Sequence, residues 1–151
     1  MEKKLMYLET AFIAILFVSI LLQNFDVSVI VPISIALGGL ALVFFLNAYV
    51  PKSPSPNQDD KTLGFKDLLV QSILPKVLWI SMAVSVCGLL FYVLKFKGSM
   101  NMMFMGGSTI LIAALTILVF KFSGTRNTAM AIAILYRAIP ILLTIIYIRF
   151  Y

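Results

Sequence analysis

The hydrophobic residues of the chain fall into five long runs, and most polar residues are collected between them. The runs cover residues 5–25, 29–50, 75–94, 102–122 and 128–150. A hydrocarbon core about 30 Å thick needs roughly 20 apolar residues of helix, so each run is long enough to cross a bilayer. Barrel strands alternate polar and apolar residues, and these runs do not. The pattern predicts an all-α integral membrane protein, a polytopic helical bundle of five transmembrane helices.

The longest polar segment separates the second run from the third. Residues 51–64 open with PKSPSPNQDDK, which has no hydrophobic period and indicates an exposed loop. Within residues 64–76, apolar residues recur at helical spacing: Phe65, Leu68, Leu69 and Ile73. This favours either a short amphipathic helix on the membrane before span three or a polar extension of that span. We treat residues 1–151 as a single membrane domain.

The composition supports a membrane protein, and it lacks most of the side chains that catalytic sites use. The chain is 62% hydrophobic and 12% charged, against about 45–50% and about 25% in soluble domains. It has no histidine, the usual general base near neutral pH and the commonest metal ligand. Its one cysteine, Cys87, allows no intrachain disulfide and no thiolate cluster. We therefore expect neither an enzyme nor a cofactor or metal site.

The net charge of +6 does not indicate nucleic-acid binding, because the basic residues lie at the ends of apolar runs. At these positions they determine the orientation of the chain in the membrane. With the N-terminus inside, eight basic residues are cytoplasmic: Lys3, Lys4, Lys52, Lys61, Lys66, Lys76, Lys121 and Arg126. Three lie outside: Lys95, Lys97 and Arg149. The positive-inside rule then favours a cytoplasmic N-terminus and an outside C-terminus, in a membrane that we expect to be the bacterial cytoplasmic (inner) membrane.

The last run leaves an alternative open, because it carries Arg137 near its middle. Four spans plus a re-entrant or interfacial C-terminal helix would add Arg137 and Arg149 to the cytoplasmic count, which the positive-inside rule slightly favours. A central arginine costs about 2.5–3.5 kcal/mol on insertion scales, and each isoleucine or leucine returns about 0.3–0.6. The ten isoleucines and leucines between Ile132 and Ile148 are enough to offset it, so we favour five spans.

Two ionisable residues lie within the predicted spans, Glu9 in the first and Arg137 in the fifth, and Gln23 is a further polar candidate. Both helices would start on the cytoplasmic side, so a pair between Glu9 and Arg137 within one chain is geometrically possible. The functional hypothesis is a coupled carboxylate or an anion-binding arginine. The simpler alternatives place Glu9 among headgroups and let Arg137 snorkel or pair with a neighbouring subunit.

Small residues on three spans predict helix packing. They are Ser34, Gly38 and Gly39 on span two, and Gly106, Gly107, Thr109 and Ala113 on span four. On span five a small and polar stripe is expected to face other helices: Ala129, Ala133, Arg137, Pro140 and Thr144.

The absence of catalytic constellations and the surplus of apolar surface favour a small non-enzymatic accessory subunit. It would assemble with and stabilise a larger membrane protein complex, with other membrane subunits or further copies of itself as partners in the lipid bilayer. The alternative is a small oligomeric transporter or channel that uses Glu9 and Arg137.

Overall fold

The computed structural model describes residues 2–23, 30–50, 69–122 and 129–150, and its elements are all helices. In chain order they are α1 (Glu2–Gln23), α2 (Ile30–Tyr49), a π-helix (Leu69–Ile73), α3 (Leu74–Val93), α4 (Ser99–Phe122) and α5 (Ala129–Phe150). Helices satisfy their backbone donors and acceptors internally, as a bilayer requires. The all-helical prediction is therefore confirmed for the described part of the chain.

Four helices are long and apolar enough to cross a membrane: α2, α3, α4 and residues Ala131–Phe150 of α5. The protein is accordingly a multi-pass membrane protein. The segment for which a re-entrant or interfacial alternative was open forms one continuous 22-residue helix, α5, about 33 Å long at 1.5 Å per residue. Over the described residues α1 is not among the four, so the fifth span stays a prediction.

The chain before α3 favours an extension of that helix over a separate amphipathic helix. Residues 64–68 lie outside the described part, but Leu69–Ile73 run directly into α3 as a π-helix, and Leu69 packs on the core. Pro75 explains the wider turn, because proline has no N–H to donate to the carbonyl of Gln71 and its ring would clash with that carbonyl in α geometry.

Helix α3 is the centre of the bundle. Half of its most apolar stretch is buried, and it packs most extensively against α4 and α2 and less against α5. Its largest fully buried side chains are Leu78, Met82 and Val86. Helix α1 packs on α2, where the ring of Phe12 occupies the place that a Cβ on Gly39 would take.

The backbones of α3 and α4 approach closely at two glycines. A Cβ on Gly88 would lie 2.8 Å from the backbone nitrogen of Met103, and a Cβ on Gly106 would lie 2.8 Å from that of Ser85. Lipid tails are as apolar as the helices, so association in a membrane relies on such close packing. These two glycines therefore fix the position of α4 against α3.

A Schellman motif ends α3 and sets the turn into α4. The N–H of Phe96 donates to the carbonyl of Phe91 at 2.9 Å, and that of Lys95 donates to Tyr92 at 3.0 Å. Lys95 holds the left-handed position with φ of +57°. The rings of Phe91 and Phe96 meet edge to face at 5.6 Å between centroids, which is the apolar contact that accompanies this cap.

We predict opposite effects of adding one methyl group at two glycines. Gly106→Ala places its Cβ against backbone atoms of α3, so we expect a loss of about 1–3 kcal/mol. Gly38→Ala is the matched control, because its nearest heavy atom is a Leu90 methyl carbon 4.0 Å away. It should be neutral or gain up to about 1 kcal/mol from helix propensity. Unfolding in mixed micelles measures both, and equal effects would contradict the close approach.

Candidate functional site: an ion pair between α1 and α5

Glu9 lies on the single face of α1 that turns toward the rest of the bundle. Among the described side chains of α1, only Leu5, Glu9 and Ser19 are buried. Positions four and three residues apart share one helix face, so the one carboxylate in the middle of this stripe points inward. Glu9 is 7% exposed, which means that it needs a partner inside the bundle.

That partner is Arg137 of α5. Its Nη1 donates a hydrogen bond to Oε2 of Glu9 at 2.9 Å, a length typical of a charge-assisted bond. The prediction of a contact within one chain is therefore confirmed, while a functional role for either residue stays a prediction. The hydrogen bond joins two helices that are 128 residues apart in sequence at these positions.

Trp79 of α3 contacts the same guanidinium. Cζ of Arg137 lies 5.9 Å from the Trp79 ring centroid, within the range of a cation–π interaction. The Trp79 ring packs in turn on Phe44 of α2, at 5.6 Å between centroids. Trp79 lies near the start of α3, a position at which tryptophan commonly anchors a helix at the membrane interface. Its side chain is nevertheless 4% exposed and belongs to the core.

In the predicted topology, Glu9 and Arg137 lie at similar depths in the membrane. Glu9 is seven residues from the start of α1 and Arg137 is eight residues from the start of α5, or about 10 and 12 Å along each axis. If α1 and the three helices α2, α3 and α4 each cross the membrane once, then α1 and α5 start on the same side, as the contact requires. In the predicted five-span topology, both groups would lie within spans, where ionisable residues are rare.

The two partners differ in how well the chain covers them. The Glu9 side chain is 9% exposed, whereas that of Arg137 is 46% exposed. Ala133, Pro140 and Thr144 are exposed beside it. The stripe lies to one side of the buried residues Ala131, Ile134, Ala138 and Ile141, so the described part of the chain does not cover its small residues. The expectation that it faces another helix stays a prediction. The side chains of Ala129 and Gln23 lie outside the described part.

The remaining small residues hold ordinary packing positions. Ser34 is half-buried, and its hydroxyl donates to the carbonyl of Ile30 at 2.7 Å. Thr109 donates to the carbonyl of Met105 at 2.8 Å. Ala113 is buried, and Gly107 faces Ile145 of α5. These serine and threonine hydroxyls are thus satisfied by their own helices.

The sequence analysis missed the small face of α3, formed by Ser81, Ser85 and Gly88. These residues recur at i, i+4 and i+7, a spacing that could have marked the face in advance. Ser81 donates to the carbonyl of Val77 at 2.6 Å. The Ser85 hydroxyl is fully buried and has no hydrogen-bond partner in the described part of the chain, because it lies where Gly106 of α4 comes closest.

The described residues offer little other chemistry. They contain no group of three or more His, Cys, Asp or Glu side chains that could hold a metal ion. Comparison of the chain with known protein families, curated proteins and solved structures finds no match.

We predict that Glu9 and Arg137 are coupled energetically. In a double-mutant cycle, Glu9→Ala and Arg137→Ala should each destabilise the protein, and the double variant should lose less than their sum by about 1–3 kcal/mol. A lone buried charge is worse than none. The matched cycle pairs Glu9→Ala with Arg149→Ala, an arginine in the last turn of α5. Its coupling should be near zero, and equal couplings in the two cycles would refute a specific pair.

Proposed function

We propose that the chain is a small, non-enzymatic subunit that packs in and stabilises a larger assembly in a cytoplasmic membrane. The observation that carries this proposal is the guanidinium of Arg137, which lies within a membrane span and is still half-exposed. An arginine facing hydrocarbon is unfavourable by about 2.5–3.5 kcal/mol even on insertion scales. Cover by another membrane protein would remove that penalty.

The hydrogen-bonding capacity of Arg137 supports a protein partner. A guanidinium has five N–H donors in a fixed fork, and one bond, to Glu9, accounts for one of them. A partner helix that brings a carboxylate, amide or backbone carbonyl to this depth would satisfy others. The exposed alanine Ala133, one turn earlier, allows such a helix to approach closely.

An internal proline of α5 adds an acceptor to the same face. Pro140 lies inside the helix and has no N–H to donate to the carbonyl of Tyr136, four residues earlier. Each helical carbonyl is directed along the axis toward residue i+4, and Pro140 is exposed. The stripe therefore offers a donor and an acceptor at membrane depth, which suits a polar contact with another helix.

The ion pair supports this function over transport by Glu9 and Arg137. The Glu9 carboxylate and the Arg137 guanidinium neutralise each other at 2.9 Å. Much of their charge is therefore not available to bind a transported ion. The stabilising contact, in contrast, is what a subunit needs to present Arg137 in one fixed position. The chain's other exposed apolar surface is available for lipid or further subunits.

We also propose five spans, with the N-terminus in the cytoplasm and the C-terminus outside. Residues 5–22 of α1 are apolar except for four residues, Tyr7, Glu9, Thr10 and Ser19. Their 18 residues of helix extend about 27 Å, close to the hydrocarbon thickness. Glu9 does not oppose insertion of this helix, since its charge is paired with Arg137.

We expect the tagged chain, extracted from its own membranes in mild detergent, to purify with other membrane proteins in a fixed ratio. Ala133→Trp should release them, because the bulky ring blocks the stripe beside Arg137. Ile146→Trp is the matched control on the opposite flank of α5 and should retain them. A chain that purifies alone, or an Ala133→Trp variant that keeps its partners, would contradict the proposal. Particles that contain only copies of this chain would show a homo-oligomer instead.

For the topology, we expect single cysteines to be labelled from opposite sides. In a Cys87→Ser background, Tyr151→Cys and Lys97→Cys should react with an impermeant maleimide in intact cells, and Lys4→Cys should react only after permeabilisation. Lys97 acts as the control for the outside, because it lies in the turn between α3 and α4. If Lys4→Cys and Tyr151→Cys report the same side, the number of spans is even and five spans are excluded.

A further inference from the structure

An apolar groove opens between α4 and α5 at the end where α4 finishes. Its volume is about 310 Å³, about twice that of an engineered apolar cavity of roughly 150 Å³ that accommodates benzene. The groove therefore has room for a segment of hydrocarbon chain and not for a whole lipid. Its walls come from both helices and include Ala114, Ile117, Lys121, Ile132, Tyr136 and Ile139.

The charge in this groove is confined to its mouth. Lys121 lies one residue before the end of α4, whereas Ala114 lies seven residues, or about 10 Å, deeper along the axis. On α5 the lining runs over the same length, from Ile132 near the start to Ile139. Among the described residues of the lining, Lys121 is the single charged one. The groove thus changes from a cation at its mouth to a mainly apolar lining toward the membrane centre.

A phospholipid has the same order of groups along the membrane normal, with an anionic phosphate at the interface and acyl carbons inward. Basic pockets between transmembrane helices are the usual sites for anionic headgroups. We propose that this groove is a binding site for an anionic phospholipid, with one acyl chain between α4 and α5 and the phosphate on Lys121. The site lies on the flank of α5 opposite Arg137 and does not depend on the proposed partner assembly.

The depth of Lys121 favours lipid over a second protein helix as the occupant. A partner helix would be recognised by polar groups within the span, and in this groove the deepest polar group is the phenol of Tyr136, which is 71% exposed. The lysine itself extends from the last turn of α4, where its ammonium reaches the headgroup region. Both features match a headgroup at the surface and a chain below it.

The test measures the melting temperature of the purified chain in mild detergent with added phosphatidylglycerol or phosphatidylcholine. We expect phosphatidylglycerol to raise the melting temperature in a saturable manner, since a ligand that binds only the folded state stabilises it. Phosphatidylcholine should have a smaller effect. Glycerol 3-phosphate, which carries the anion without the chains, should have none, and an equal shift with this compound would overturn a lipid site.

Two kinds of variant separate the headgroup contact from the groove. Lys121→Gln should weaken the apparent affinity for phosphatidylglycerol at least fivefold, and Lys121→Arg should restore it. Ala114→Phe should abolish the saturable shift by filling the groove while Lys121 remains. The matched controls are Lys97→Gln, in the turn after α3, and Ala14→Phe, on the exposed side of α1, which should both behave as the unaltered chain.

Several outcomes would overturn the proposal. Equal losses in Lys121→Gln and Lys97→Gln would indicate general charge attraction. An unaltered shift in a folded Ala114→Phe would show that the acyl chain does not occupy the groove. If Ala114→Phe fails to fold, the comparison of Lys121→Gln, Lys121→Arg and Lys97→Gln still decides whether phosphatidylglycerol binds at this position.

Discussion

The close approach of α3 and α4 is the constraint on which the rest of the bundle depends. Without a hydrophobic force between helices in lipid, α4 is held by contact at Gly88 and Gly106, where backbone atoms of the neighbouring helix occupy the space of a side chain. This contact leaves the Ser85 hydroxyl buried without a hydrogen-bond partner in the described residues. Tight packing thus coincides with an unsatisfied polar group, and α2 and α5 pack against the same α3.

The ion pair between Glu9 and Arg137 has a different role, because it connects helices that the packing alone holds weakly. Helix α1 packs on α2, and its direct contact with α5 is carried by these long side chains. A buried pair of charges is seldom a strong source of net stability, but it selects one arrangement over others that would leave a charge alone. The pair therefore specifies where α1 lies relative to α5, and it holds the arginine on the uncovered stripe in one place.

The sequence correctly predicted the features that depend on the lengths of the hydrophobic runs. It did not predict which face of each helix packs against the rest of the chain. The runs of apolar residues gave the helices α2 to α5 with ends within a few residues, and the depth of two charges gave the pair of Glu9 and Arg137. The sequence does not indicate that Trp79 is buried, because a tryptophan near the end of an apolar run is compatible with both an interfacial and a core position. The sequence also predicts that the stripe at Ala133 faces another helix, but small residues do not indicate whether that helix belongs to the same chain.

The depth of a cation along its helix distinguishes the two uncovered flanks of α5. Arg137 lies about 12 Å from the start of its helix, and the ligand that we propose for it is another helix with polar groups inside the hydrocarbon. Lys121 lies at the very end of α4, where phosphate is abundant and acyl chain fills the apolar groove below. In our two proposals, the same kind of charge binds a protein on one flank and a lipid on the other, because the bilayer offers different acceptors at the two depths.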